Sequence, residues 1–288
     1  MLVMSRSNFV RARDYLSDYG RPLEQALFRY HFEGGSSEAV LAVLEQHQSA
    51  DGGFSGMGEG DANCSSSIGT CVAFQILSEL HVPVENELVQ KGISYFLHSF
   101  DDNLRYWFPD LSRKDPPDDQ FDYLWGNPSA EIVGYLYEYQ DLVPRNFLEQ
   151  LTEIAVNKLR SSPRPLEMFA ALCFLSMAER TPRRITSEIL ECLHREIGNV
   201  VNIDPASWTG YFAKPIWYVP SPSSPLYGDL KHETNLNLDY EISRQSPEGF
   251  FPLNWNADVE EVDTWRSILT LETLVILRNH GRIEGMTV

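Results

Sequence analysis

The chain repeats itself once, and that repeat limits its architecture more than any other feature. Gln48-Ser49-Ala50-Asp51-Gly52-Gly53-Phe54 matches Gln245-Ser246-Pro247-Glu248-Gly249-Phe250-Phe251 at an offset of 197 residues. In each copy a helical pattern ends at the glutamine, a turn follows, and a new buried helix starts roughly twenty residues later. A shared helix–turn–loop–helix context points to one supersecondary unit used twice, as in folds assembled by stacking repeats.

Periodicity between the copies is helical throughout. Ser36–Gln48 carries Val40, Leu41 and Leu44 on one face, with Ser36 or Ser37 as cap. Gly69–Leu80 is apolar nearly all round, as a helix buried on both sides must be. Glu85–Phe100, Ser129–Tyr139, Arg145–Arg160, Pro165–Ala178, Thr186–Ile197, Asp229–Gln245 and Trp265–Arg278 read the same way. With a first hairpin before Gly34, the count is about eleven or twelve helices. No two alternating runs face each other across an Asn-Gly or Asp-Gly turn, so strands are not expected. The predicted fold is all-α, with residues 1–288 forming one domain.

Short links alternate with long Gly-, Pro- and aromatic-rich loops at 49–65, 100–128, 198–228 and 246–263. Loops of that length are uncommon in compact domains and are often functional. In a ring of helical hairpins, alternate connections emerge on one rim, so these loops would gather at one mouth.

Net charge is −18, with no basic stretch to offset it. Such a field repels phosphate backbones, and nucleic acid is excluded as a partner. The apolar runs fall short of the ~20 residues a membrane helix needs, and MLVMSRSNFVRARDYL is too charged to read as a signal peptide. Cys64, Cys71, Cys173 and Cys192 form no CxxC pair, which fits idle thiols in a reducing cytosol. A cytoplasmic protein is expected.

The two repeat stretches resemble the repeat of squalene cyclases and protein prenyltransferase β-subunits, which runs Gln-x-x-x-Gly-x-Trp or Gln-x-x-Asp-Gly-Gly-Phe. QSADGGF fits closely and is followed by the helix start SSSIGTCVAFQIL; the second copy has Glu248 for the Asp and has lost one Gly. LWGNPSAEIVGYL and WRSILTLETLVILRNHGRI also resemble small single-barrel proteins of that kind. The resemblance implies an (α/α)6 toroid of about twelve helices, with long loops and a cavity at one end. It also implies structural roles for Gln48, Gly52, Gly53, Gln245 and Gly249.

The family's catalytic equipment is only partly matched. The Asp-x-Asp-Asp of protonation-type cyclases, in which neighbouring carboxylates keep one acid protonated, is absent. The nearest clusters are Asp118-Asp119-x-x-Asp122 and Asp258-x-Glu260-Glu261-x-Asp263. Prenyltransferases hold zinc with an Asp, a Cys two residues on, and a distant His. Here Asp61 and Cys64 are three apart, so neither metal nor cofactor is expected. The magnesium-binding aspartates of ionisation-type synthases lie on a helix, whereas DPPDDQFDY is Pro-rich.

All six tryptophans fall in the long loops or at the helix start that follows them. Trp107, Trp125, Trp208, Tyr211, Trp217, Trp255 and Trp265, with Arg105 beside them, are therefore the candidate substrate-binding residues. Aromatic walls of this sort suit an apolar ligand, a sugar ring or a cation. Asp119, Asp122, Asp258 and Asp263 are the candidate catalytic carboxylates. Burial beside tryptophan would raise a carboxyl pKa and make it a usable general acid. The leading expectation is an enzyme acting on an isoprenoid or similar apolar small molecule by acid-initiated cyclisation. A carbohydrate-active barrel enzyme and a non-catalytic ligand- or protein-binding barrel are the alternatives.

Overall fold

The computed structural model describes residues 1–58, 63–109, 125–162, 164–259 and 261–286. Twelve α-helices occur among them: α1 Arg6–Tyr19, α2 Pro22–Phe32, α3 Ser37–Leu44, α4 Ser67–Glu79, α5 Glu87–Ser99, α6 Gly126–Glu138, α7 Arg145–Ser161, α8 Met168–Arg180, α9 Arg183–Val200, α10 Pro215–Tyr218, α11 Tyr227–Ser243 and α12 Val262–Asn279. Only isolated bridges, such as Gln48 with Phe54, interrupt the all-α pattern among the described residues. No described helix is long and apolar enough to cross a membrane.

The helices sort into two compact units. One is Met1–Val43 with Ile197–Val288; the other is Leu44–Glu196. We call them the terminal and the central unit.

In the central unit, side-chain caps set the helix starts. Ser66 accepts from the Gly69 N–H, Asn86 from Leu88 and Glu167 from Ala170, satisfying donors that a first turn leaves orphaned. Helix α6 begins three residues earlier than its apolar pattern suggests, and nearly every residue from Gly126 to Leu136 is buried. It packs on α7 and α8 and is the spine of this unit.

The first repeat turn lies in the central unit. The Gln48 side-chain amide donates to the carbonyls of Gly52 and Leu88, both at 3.0 Å. Ser49 N–H donates to Gly53 O (2.9 Å), and the Phe54 N–H is taken by the Thr70 hydroxyl oxygen (3.0 Å). Gly52 has φ +91°, and a Cβ there would sit 2.3 Å from the Lys91 carbonyl oxygen of α5. Asp51 accepts from the Gly53 N–H and the Ser65 hydroxyl, so it too serves the turn.

The terminal unit reproduces the glutamine, backbone and threonine bonds of this turn, while Glu248, in the place of Asp51, accepts from Ser246 Oγ. Gln245 donates to Gly249 O and Asn8 O, both at 2.9 Å. Ser246 N–H donates to Phe250 O (2.8 Å) and Phe251 N–H to Thr270 Oγ1 (3.0 Å). Gly249 has φ +107°, and its Cβ would lie 2.2 Å from the Arg11 carbonyl oxygen. The partner helix here is α1, from the opposite end of the chain. It takes the place that α5 takes in the central unit, and it packs on α12 and α2. Chain ends also meet at the Met4–Ile283 bridge.

One packing detail of the terminal unit makes stability pH-dependent. Arg278 Nη1 donates to the His31 carbonyl (2.9 Å) and lies 3.4 Å from Nδ1 of the ring. Burial first, and the Arg278 charge second, push the His31 pKa down to about 4. The unfolded chain therefore binds more protons than the native one between about pH 6.5 and pH 4. The stability that a neutral His31 supplies is complete above 6.5 and is lost as pH falls through that window. His31→Gln is expected to flatten the acid limb of a urea-denaturation pH profile by about 1–2 kcal/mol, discounted for a half-exposed ring. An unchanged limb would remove His31 from the account.

Candidate functional site

Four of the expected binding residues come together in the terminal unit. Tyr211 lies 6.3 Å from Trp217 and 5.4 Å from Trp255, and Trp255 lies 5.5 Å from Trp265. Their planes cross at 61°, 70° and 82°, the edge-to-face geometry that aromatic pairs favour. Tyr211 is 47% exposed and the three tryptophans are half-buried. Phe212, Ile203 and Val259 are exposed in the same two loops.

The cluster rests on a rigid base. Asn202 N–H donates to Ala213 O (2.9 Å), which closes the loop around Trp208. The Trp208 indole N–H donates to Asn202 O (2.7 Å) and its ring meets Tyr240 of α11 edge-on. Lys214 and Glu241 form a buried ion pair at 2.6 Å, and Asn237 of α11 accepts from the Ile216 N–H (3.3 Å). Pro215 then starts α10 and presents Trp217.

Beside Trp265, the Arg266 guanidinium lies 4.1 Å above the Phe250 ring and 3.4 Å from Asp263. Tyr15 Oη donates to the same carboxylate at 3.3 Å. Burial first, and Asp263 second, push the Tyr15 hydroxyl up to about 12, so it is a donor at neutral pH. Asp263 itself is 60% exposed. Asp258 is exposed as well, and its carbonyl accepts from Glu261 and Val262 where the chain enters α12. Neither has the burial beside tryptophan that would hold a carboxyl group protonated as a general acid. Asp119 and Asp122 lie outside the described residues, as does Asp61.

Three of the expected binding tryptophans are core instead. Trp107, Trp125 and Trp208 are each 0% exposed. Trp107 donates to Phe96 O (2.7 Å) and Trp125 to Arg105 O (2.9 Å). With rings packed and N–H groups satisfied, they present no face to a ligand. Arg105 is an exposed turn residue with φ +57°, and its backbone carbonyl anchors Trp125.

Glu131, a carboxylate buried in α6 of the central unit, is not among the residues expected from the sequence. It accepts from Tyr135 Oη (2.8 Å), Gln75 Nε2 (3.0 Å) and Ser176 Oγ (3.4 Å), and the Cys173 thiol lies at 3.8 Å. The donors come from α4, α6 and α8, so one side chain ties three helices together. Burial first, then Glu131, pushes the Cys71 and Cys173 thiols well up, which keeps both protonated and inert. Arg180 lies 4.7 Å from the Tyr135 ring and binds Glu138 and Ser78, extending the network outward. The available signal was one acid inside the otherwise apolar run SAEIVGYL. Among the described residues no group of three His, Cys, Asp or Glu side chains could hold a metal ion.

Neither a protein-family model nor a curated protein sequence matches this chain.

Proposed function

We propose that the protein binds an apolar, isoprenoid-like small molecule over the Tyr211–Trp217–Trp255–Trp265 cluster, on an (α/α)6 toroid of terpenoid-cyclase type. One observation carries the binding reading: three half-buried tryptophans and an exposed tyrosine held in mutual contact. Aromatic side chains gathered at a surface offer apolar contact area, and a flexible hydrocarbon binds such area with least polar desolvation. The toroid is supported by the two matching repeat turns and by α1 completing the second of them. A cytosolic location is supported by four free cysteines.

Farnesol titrated into the protein is expected to quench tryptophan fluorescence saturably. Trp255→Ala and Trp265→Ala should each weaken binding by roughly tenfold or more, as anchor residues do. Absence of a saturable change would overturn the reading, and saturation by an oligosaccharide instead would move it to carbohydrate binding. A cyclisation chemistry adds the acid candidates Asp122 and Asp263. Turnover of a prenyl substrate unchanged in both Asp122→Asn and Asp263→Asn would remove them.

A further inference from the structure

The central unit holds a second feature of a different chemistry. A groove of about 550 Å³ runs between α7 and α9, and Arg160, Arg164, Arg184 and Arg195 line it with Glu188 and Glu191. Its lining thus carries a surplus of two positive charges in a chain whose net charge is −18. Neighbouring guanidiniums repel one another, an anion between them relieves that repulsion, and low-dielectric walls concentrate their local field against the acidic background of the chain.

The four guanidiniums are not equally engaged. Arg160 pairs with Glu188 at 2.6 Å. Arg164 is fixed from below, donating to Leu159 O (2.8 Å) and to Cys192 Sγ (3.3 Å). Glu196 lies 3.6 Å from both Arg164 and Arg195, too far for a close charged hydrogen bond. Arg184 makes no ion pair among the described residues. Two exposed guanidiniums with spare donors therefore face a hollow that two anchored ones already shape. Arg160 and Arg184 also border an adjoining hollow of about 510 Å³, floored by Val156 and Ile185.

We propose that this groove binds a small multivalent oxyanion, a molecule carrying two or more phosphate groups. Planar guanidinium forks match phosphate oxygens two at a time, which a lysine cluster would not do. The volume suits a small molecule. Single phosphate would engage one fork, whereas a diphosphate adds a second charged group for another guanidinium of the lining to bind.

Calorimetric titration with inorganic pyrophosphate at low ionic strength tests this directly. One saturable site is expected, tighter than for inorganic phosphate, with affinity falling as salt is raised. Arg184→Ala and Arg195→Ala should each weaken pyrophosphate by roughly tenfold, with unchanged circular dichroism and thermal midpoint because both side chains are exposed. Arg13→Ala, at an exposed arginine of the terminal unit, should leave binding unchanged. No saturable binding at millimolar pyrophosphate would overturn the proposal. So would equal affinity in the Arg184→Ala/Arg195→Ala double variant, or equal weakening by Arg13→Ala.

Discussion

Gly52→Ala and Gly249→Ala are each expected to lower the unfolding free energy by roughly 3 kcal/mol, against about 1 kcal/mol for Gly34→Ala. All three glycines have positive φ, at +91°, +107° and +73°, so each substitution carries backbone strain, least at Gly34, whose φ is nearest the left-handed region open to L residues. They differ in what the new methyl meets. At Gly52 it lands 2.3 Å from the Lys91 carbonyl oxygen and at Gly249 2.2 Å from that of Arg11, whereas around Gly34 nothing lies within 4 Å. Backbone of a packed helix cannot retreat as a side chain can, so the turn must be pushed off α5 or α1. That shift would also stretch the Gln48 and Gln245 bonds to those helices. Chemical denaturation of the three variants measures the contrast. Costs at Gly52 and Gly249 no larger than at Gly34 would mean the turns are not pinned to their partner helices.

Glu241→Leu is the second large effect, at about 3–5 kcal/mol. Lys214 and Glu241 are both only 4% exposed, and Arg244 approaches the second carboxylate oxygen at 3.6 Å. Burial already pushes the Lys214 ammonium below its usual range, with Glu241 opposing that shift. Removing the carboxylate leaves two cations in an apolar setting without their counter-charge. Lys214→Met with Glu241→Leu removes the desolvation cost together with the pair, and is expected to come within about 1 kcal/mol of the parent. A double-mutant cycle by urea unfolding gives the coupling directly. The single variant should also gain stability as pH rises towards 10, because a depressed native lysine releases its proton before the unfolded one does. Additive single costs would show that the two side chains do not act as a pair.

Helix periodicity carried most of the fold, because an amphipathic stripe is written locally in residues three and four apart. The Ser36 cap is found where expected, accepting from the Ala39 N–H. Short α10 went unseen inside the 198–228 loop because four residues, Pro215–Tyr218, are too few to display a period. Tryptophan positions were legible as loop positions, but their exposure was not. Trp208 and Trp217 stand nine residues apart in one loop, and only the reach of Trp208 back to Asn202 decides that it is core. A large ring with one donor can equally face a ligand or a backbone carbonyl, and that choice is made by distant chain. Glu131 shows the converse: its role depends on Gln75 and Ser176, 56 and 45 residues away, and no local pattern reports such partners.

The two repeat turns differ in when they can be completed during synthesis. Gln48 and Gly52 find their partners at Thr70, Leu88 and Lys91, all emerging shortly afterwards from the ribosome. Asn8 and Arg11 emerge first and wait for Gln245 and Gly249, a separation of 237 residues for the Asn8 contact. Through that interval the α1 face carrying Ala12, Tyr15 and Leu16 has no α12 to cover it. The central unit is thus free to fold while translation continues. The terminal unit depends on a contact of very high sequence separation, and α1 is the segment a nascent-chain chaperone would hold longest.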